Sequence, residues 1–208
     1  MCLNKNIEGN ILSETIEYYD NNAENYADIT ANIDFSEMQD AFLSEIKAGA
    51  SILDFGCGSG RDSLYFLQKG YNVTALDGSS VMCRIAREKT GIQVMEMDFN
   101  DFDELDKYDG IWACSSILHL SKHELKNVFI HMEKALHSSG IIYTSFKYGN
   151  FSGIRNGRFF TDFTEDSFQD FISDVKELTV EKLWITKDVR HGRQDEKWLN
   201  IFLKTTRR

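Results

Sequence analysis

From Ser51 onward, short apolar runs rich in β-branched and aromatic residues alternate with amphipathic helical stretches: SILDFG, DSLYFLQKG, YNVTALD, SVMCRIAREKTG and IQVMEMD follow one another. A strand followed by a helix and then a second strand pairs in parallel, so the alternation predicts βαβ units and a sheet with helices on both faces. The cycle continues with the strand YDGIWACSS and a helix from about Lys122 to His137, where Leu125, Val128, Phe129, Met132 and Leu136 share one face. GIIYTSF is a fifth strand.

Beyond it the pattern changes. Residues 147–162, KYGNFSGIRNGRFFTD, are rich in glycine and asparagine and read as a long functional loop. A short helix from about Glu165 to Ile172 follows, with Thr164 as its N-cap. KELTVEKLWITKDV and EKWLNIFLK, joined by RHGRQD, read as an antiparallel hairpin. Residues 1–48 hold two amphipathic segments, SETIEYYDNNAENYADI and SEMQDAFLSEIK, too short for a domain of their own. They are expected to cap one edge of a domain spanning residues 49–208.

Composition narrows the function. The formal net charge of −10 repels a phosphate backbone and counts against nucleic acid as a partner. Cys2, Cys57, Cys83 and Cys114 form no CxxC pair and have no histidine at ligand spacing, so the reading is reduced thiols and no metal. The N-terminal MCLNKNIEGNILSE lacks the pattern of a secretory leader, and no apolar run has the length of a membrane span. A cytoplasmic protein, monomer or homodimer, is expected.

The first strand ends in ILDFGCGSGRDS, giving DxGxGxG from Asp54 through Gly56, Gly58 and Gly60, with a helix starting near Arg61. Glycines there permit positive φ and let a ligand approach the main chain. A dinucleotide fingerprint needs a third glycine where this chain has Arg61, and a phosphate-binding P-loop needs a following Lys-Ser or Lys-Thr; neither pattern is met. What remains is a ribose-bearing ligand without a pyrophosphate. Asp77, closing the second strand before Gly78, is placed to accept from ribose hydroxyls. Asp98, closing the third, is placed for an exocyclic adenine amine, with Phe99 as an apolar wall. Asp54 offers a negative charge suited to a cationic amino group, and Cys57 packs as a small apolar residue between glycines.

This constellation resembles motif I and its companions in class I S-adenosylmethionine-dependent methyltransferases. GSGRDSLYF is similar to the small tellurite-resistance type, and YYDNNAENYA resembles the helix preceding the sheet in small-molecule methyltransferases. The resemblance implies a Rossmann-like α/β/α sandwich with strand order 3-2-1-4-5-7-6 and strand seven antiparallel. It implies S-adenosylmethionine as cofactor, S-adenosylhomocysteine as product, and Tyr19 and Tyr26 over the methionine end of the cofactor. It also places ACSSILHL, after strand four, along the methyl-transfer pocket.

In that segment Ser115 reads as a pocket liner and His119 as the candidate for acid–base work, the alternative being a packed or capping histidine. Arg61, in the first helical turn, opposes the helix dipole and needs a compensating carboxylate from ligand or protein. Arg158, Arg190 and Arg193 sit on loops that lead to the sheet's carboxyl edge, and guanidinium groups recognise carboxylate or phosphate. They suggest a small, anionic methyl acceptor; the alternative is pairing with surface carboxylates. An RNA or protein methyltransferase, or a non-catalytic S-adenosylmethionine-binding protein, are the competing functions.

Overall fold

The computed structural model describes residues 2–31 and 33–207, without the side chains of residues 2–12, Cys2 among them. Two helices, α1 (Cys2–Ala31) and α2 (Ser36–Leu43), precede the sheet. Strands β1 (Ser51–Phe55), β2 (Asn72–Asp77), β3 (Val94–Glu96) and β4 (Tyr108–Ala113) alternate with α3 (Arg61–Gln68) and α4 (Ser80–Thr90). Helix α5 (Lys122–Ala135) leads into β5 (Leu136–Lys147). After β6 (Ser152–Arg155), β7 (Arg158–Thr161) and α6 (Glu165–Ile172), the chain ends in β8 (Leu178–Lys187) and β9 (Lys197–Thr205).

The main sheet has the order β3-β2-β1-β4-β5-β9-β8. Strands β1 to β5 pair in parallel, and β9 runs antiparallel to both β5 and β8. This is the order expected from the sequence, with the last two strands renumbered by the inserted β6–β7 pair. Side-chain alternation divides the core: Leu53 and Phe55 of β1 join the layer of α5 and α6, whereas Ile52 packs with Phe42 of α2 and Phe66 of α3.

Local chemistry explains the helix ends. Ser121 caps α5 in a reciprocal box with Glu124, and Thr164 caps α6 with Ser167 in place of the usual acid. Helix α5 stops at Ala135, two residues short of the predicted end. Leu136 turns to extended geometry and opens β5, so its side chain is still buried, as the helical spacing required.

Residues 147–162 differ from expectation more substantially. They are not an open loop but hold the antiparallel pair β6–β7, turned at Asn156 and Gly157 with φ of 51° and 76°. Positive φ at both central positions is the signature of a tight hairpin turn of the I′ kind, which Asn-Gly favours. Helix α1 crosses the carboxyl ends of the strands: Thr15 Oγ1 accepts from the Phe159 amide of β7, and Asp20 accepts from the hydroxyl of Ser79, the α4 cap. No described helix is long and apolar enough to cross a membrane.

Candidate functional site

Where β1 ends, the chain turns at Gly56, whose φ is 84°, and the amides of Gly56 and Cys57 both donate to the Leu76 carbonyl of β2. Two of the three loop glycines are fixed by packing. A Cβ on Gly56 would lie 2.3 Å from Ser116 Cβ, and one on Gly60 would lie 2.9 Å from Thr90 Cγ2. Gly58 is different: its φ is 52°, and a Cβ there would meet nothing within 4 Å. It faces a cavity of about 1550 Å³, open mouth included, that runs along the carboxyl ends of the strands.

Asp77 stands beside that opening. Its Oδ2 accepts from the Gly58 amide at 2.8 Å and its Oδ1 from the Ser79 amide at 2.9 Å. Each carboxylate oxygen keeps a second lone pair, so the carboxylate is oriented by the backbone and still able to accept from a diol. Burial raises its pKa, against the pull of the two backbone amides. Asp98 accepts from the Asn100 amide, and the Phe99 ring stacks on Phe55 at 4.8 Å; both border the cavity. An open main chain, a fixed carboxylate and a second carboxylate next to an aromatic wall suit an adenosine, so the residues present fit the nucleoside the loop implies.

Cys57, Gly78 and Arg61 also border the cavity, whereas Asp54 and Gly60 do not. Asp54 is 2% exposed and accepts from Ser63 Oγ at 2.6 Å. Burial, with Asp62 nearby, raises its carboxyl well above the ordinary range. Asp54 is turned into the protein rather than offered to a cationic ligand group. The dipole-opposing Arg61 is matched by Asp62, Nε to Oδ1 at 2.7 Å and Nη2 to Oδ2 at 2.9 Å. Asp62 also accepts from Trp112 Nε1 and Gln39 Nε2, which ties α3 to β4 and α2.

The far half of the cavity is roofed by α1 and β7. Tyr19 Oη lies 2.9 Å from His119 Nε2, and His119 Nδ1 lies 2.6 Å from the Phe159 carbonyl. A carbonyl only accepts, so Nδ1 carries the proton, Nε2 is bare, and the Tyr19 hydroxyl donates to it. Arg158 Nη1 donates to that same hydroxyl at 3.1 Å. Burial lowers the His119 pKa to about 4, with the Phe159 hydrogen bond opposing and the Arg158 charge adding to the fall. Burial raises both Tyr19 and Tyr26, whose rings meet edge to face at 5.4 Å. Arg190, Arg61 and Arg158 all act against the rise at Tyr26, so their fields overlap at one hydroxyl.

Ser115, after β4, has a φ of 54°, and its amide donates to Ser145 Oγ at 3.0 Å. Strained non-glycine backbone of this kind concentrates at functional sites. Arg158, Arg190 and Arg193 all border the cavity, but not equally free. Arg190 forks onto Asp188, and Arg193 onto Glu196. Arg158 has no carboxylate partner among the described residues, and its Nε is buried without a hydrogen bond. It packs over the rings of Tyr18 at 4.4 Å and Phe160 at 5.3 Å.

Lys147, Asp188 and Trp198 were missed from the sequence. Lys147 is 7% exposed at the end of β5, ion-paired with Asp188 and Glu196, and its Nζ sits 3.9 Å from the centre of the Trp198 ring. Trp198 Nε1 donates to Asp188 at 3.0 Å. A lysine closing an otherwise apolar strand, GIIYTSFK, was the available signal.

Residues 52–140 match the family model described as a methyltransferase domain. An uncharacterized methyltransferase of Geobacillus thermodenitrificans is 30% identical over 135 residues, covering 62% of this chain and 58% of that protein. The probable S-adenosyl-L-methionine-dependent methyltransferase TehB of Haemophilus influenzae is 26% identical over 102 residues, covering 47% of this chain and 36% of its own length. The chain thus spans little more than half, or less, of these curated relatives. Among solved structures, 1,6-didemethyltoxoflavin-N1-methyltransferase of Burkholderia thailandensis superposes with a TM-score of 0.79 at 16% identity, over 96% of this chain and 90% of that one. Fold, glycine loop and family model agree: residues 52–140 match a methyltransferase domain and sit in a sheet of the class I S-adenosylmethionine-dependent methyltransferase order.

Proposed function

We propose that this protein transfers a methyl group from S-adenosylmethionine to a small acceptor bearing an anionic group. The observation that carries this reading is the continuity of the cavity. It joins the open Gly58 backbone and the Asp77 carboxylate, at one end, to Tyr19, His119 and Arg158 at the other. The Gly58 loop and Asp77 would hold the ribose, Asp98 the adenine amine and Phe99 the adenine face, with Tyr26 and Arg61 toward the methionine end.

When bound, the cofactor supplies an electrophilic methyl group on a sulfonium, so the chain's own work is to position the acceptor, exclude water and remove a proton. Within the N-terminal 48 residues, α1 contributes as a roof and not as part of a separate domain, since its Thr15, Tyr19 and Asp20 bond to β7, His119 and the α4 cap. Nε2 of His119 takes the acceptor's proton, by way of the Tyr19 hydroxyl that already points at it. An anionic acceptor is favoured because Arg158, Arg190, Arg193 and Lys147 border the far half against Asp188 and Glu196, in a chain that is otherwise strongly acidic. The Burkholderia neighbour was solved with 1,6-didemethyltoxoflavin and S-adenosylhomocysteine, a pairing of small acceptor and nucleoside product of the kind proposed here.

Calorimetry with S-adenosylmethionine, S-adenosylhomocysteine and NAD tests the cofactor, with binding expected for the two sulfur compounds. Binding of NAD and neither of the others overturns the reading. A screen of small carboxylates and phosphates with a labelled methyl donor tests the acceptor; label incorporated only into RNA or protein would favour the macromolecular alternative.

A further inference from the structure

We infer that Arg158 is the subsite for a single oxyanion of the acceptor and that, through Tyr19, it couples binding of that anion to the basicity of His119. The inference rests on the proposed methyl transfer and narrows the acceptor-side arginines from three to one.

The choice among the arginines follows from their partners. Arg190 and Arg193 each spend their guanidinium fork on a carboxylate two or three residues away, and Lys147 is held between the same two carboxylates. Each of these three cations has a carboxylate partner, although three cations share two carboxylates. Arg158 donates one hydrogen bond to a neutral hydroxyl, leaves Nε buried and unbonded, and is otherwise surrounded by aromatic faces. A guanidinium in that state is short of an anionic partner.

The coupling follows from the hydrogen-bond order. Arg158 donates to Tyr19, Tyr19 donates to His119 Nε2, and His119 Nδ1 donates to the Phe159 carbonyl. His119 faces Tyr19 of α1, against whose ring Tyr26 packs, and Arg158 of β7, with Lys147 of β5 across the cavity held in ion pairs with Asp188 and Glu196. Among the described residues Arg158 is the cation near the imidazole that has no carboxylate partner, and its field disfavours a second proton there. An oxyanion on the guanidinium cancels that field. His119 becomes more basic when an anionic acceptor is present, while a neutral analogue leaves the Arg158 field in place.

The test follows the imidazole resonances of His119 by NMR against pH, assigned with His119→Gln, in the free protein and with saturating S-adenosylhomocysteine. The probes are benzoate and phenyl phosphate, whose relative affinities distinguish a carboxylate from a phosphate. Saturating probe is expected to raise the His119 midpoint by about one pH unit. Arg158→Gln is expected to raise it without any probe and to weaken probe binding about tenfold or more. Arg158→Lys, which keeps the charge, guards against a folding defect and is expected to retain part of the binding. The inference is overturned if a bound probe leaves His119 unmoved, or if Arg158→Gln binds as tightly as the parent. It is equally overturned if S-adenosylhomocysteine alone moves His119 and blocks the probes, because the cofactor's own carboxylate would then be the partner of Arg158. Failure of S-adenosylhomocysteine to bind would strike the methyltransferase reading separately, with the titration of the free protein still deciding this one.

Discussion

In the half of the cavity next to β1 and β2, the groups offered are mostly main chain: the Gly58 loop, oriented by Leu76 and Asp77, with two carboxylates at successive strand tips. In the half under α1 and β7, they are long side chains from elements far apart in sequence, held by one another: Tyr19 to His119, Arg158 to Tyr19, Lys147 to Asp188. Main-chain construction ties the first half to the fold itself, because the turn that offers these groups is bonded to the end of β2. Side-chain construction leaves the second free to vary without unfolding the protein, as a fold that hosts many acceptors requires.

The largest expected effect separates two glycines only two residues apart. Gly56→Ala must place a methyl 2.3 Å from Ser116 Cβ at a φ of 84°, so a stability loss of about 3–5 kcal/mol is expected in urea unfolding. Gly58→Ala meets no atom within 4 Å and is expected to cost about 1 kcal/mol, from its positive φ. The added methyl points to where the nucleoside would lie, so its main effect should be weaker S-adenosylhomocysteine binding. Equal stability losses in the two variants would erase the distinction between scaffold and docking surface within the loop.

The halves are also expected to titrate in opposite senses. The folded His119 midpoint is lowered from 6.5 to about 4, so between those values the unfolded chain binds a proton that the folded protein refuses. Stability then falls as pH drops through that window, by about 3 kcal/mol once complete, and His119→Gln should flatten the slope. Behind the glycine loop Asp54 has a raised carboxyl, so its contribution is present in acid and is lost as pH rises above the ordinary 3.8. Asp54→Asn should remove that loss. Thermal unfolding of parent and both variants across pH 4–8 reads the two slopes, and matching signs would contradict burial as the main cause of both shifts.

Asp77→Asn probes the first half directly. It keeps the shape but loses charge and converts one acceptor to a donor facing the Gly58 or Ser79 amide. An affinity loss of about 10- to 100-fold for S-adenosylhomocysteine is expected by calorimetry, corresponding to about 1.5–3 kcal/mol. An unchanged affinity would mean that Asp77 serves the loop and not the ligand.

The sequence carried most of the first half because its determinants are consecutive. Strand, glycine turn and acidic strand tip lie within single βαβ units, where periodicity and spacing are direct evidence of geometry. Sheet order and the terminal antiparallel pair were likewise legible. Asp54 was not, since DxG spacing places the residue but cannot say on which side of the strand its carboxyl is satisfied; Ser63, one turn into α3, decides that. The β6–β7 hairpin was written in the letters IRNGRF, yet a count of glycines and asparagines over the segment hid the Asn-Gly signal. The contact of Tyr19 with His119 spans 100 residues of chain, and nothing local encodes it. The division among the arginines was nearer to hand: Asp188 precedes Arg190 by two residues and Glu196 follows Arg193 by three, so pairing within the turn was available as a reading.

That last pairing yields the smallest expected effect and the finest cut through the second half. Arg193 and Glu196 are each over a third exposed, at 41% and 36% of their side-chain surface, so water screens the pair and its loss is expected to cost under about 1 kcal/mol. Arg193→Ala nevertheless does more than remove a surface ion pair, because Glu196 also accepts from the buried Lys147. Freed of Arg193, Glu196 can turn wholly to Lys147, which answers that lysine's charge more completely and leaves Arg158, among the described residues bordering the cavity, still without a carboxylate partner. If Arg158 alone holds the acceptor's anion, benzoate binding in Arg193→Ala stays within about twofold of the parent, against about tenfold for Arg158→Gln. If the two variants weaken binding alike, the β8–β9 connection is part of the anion site, and the cavity's acceptor half is a shared cradle of guanidinium groups instead of one anchor beside an ion-paired frame.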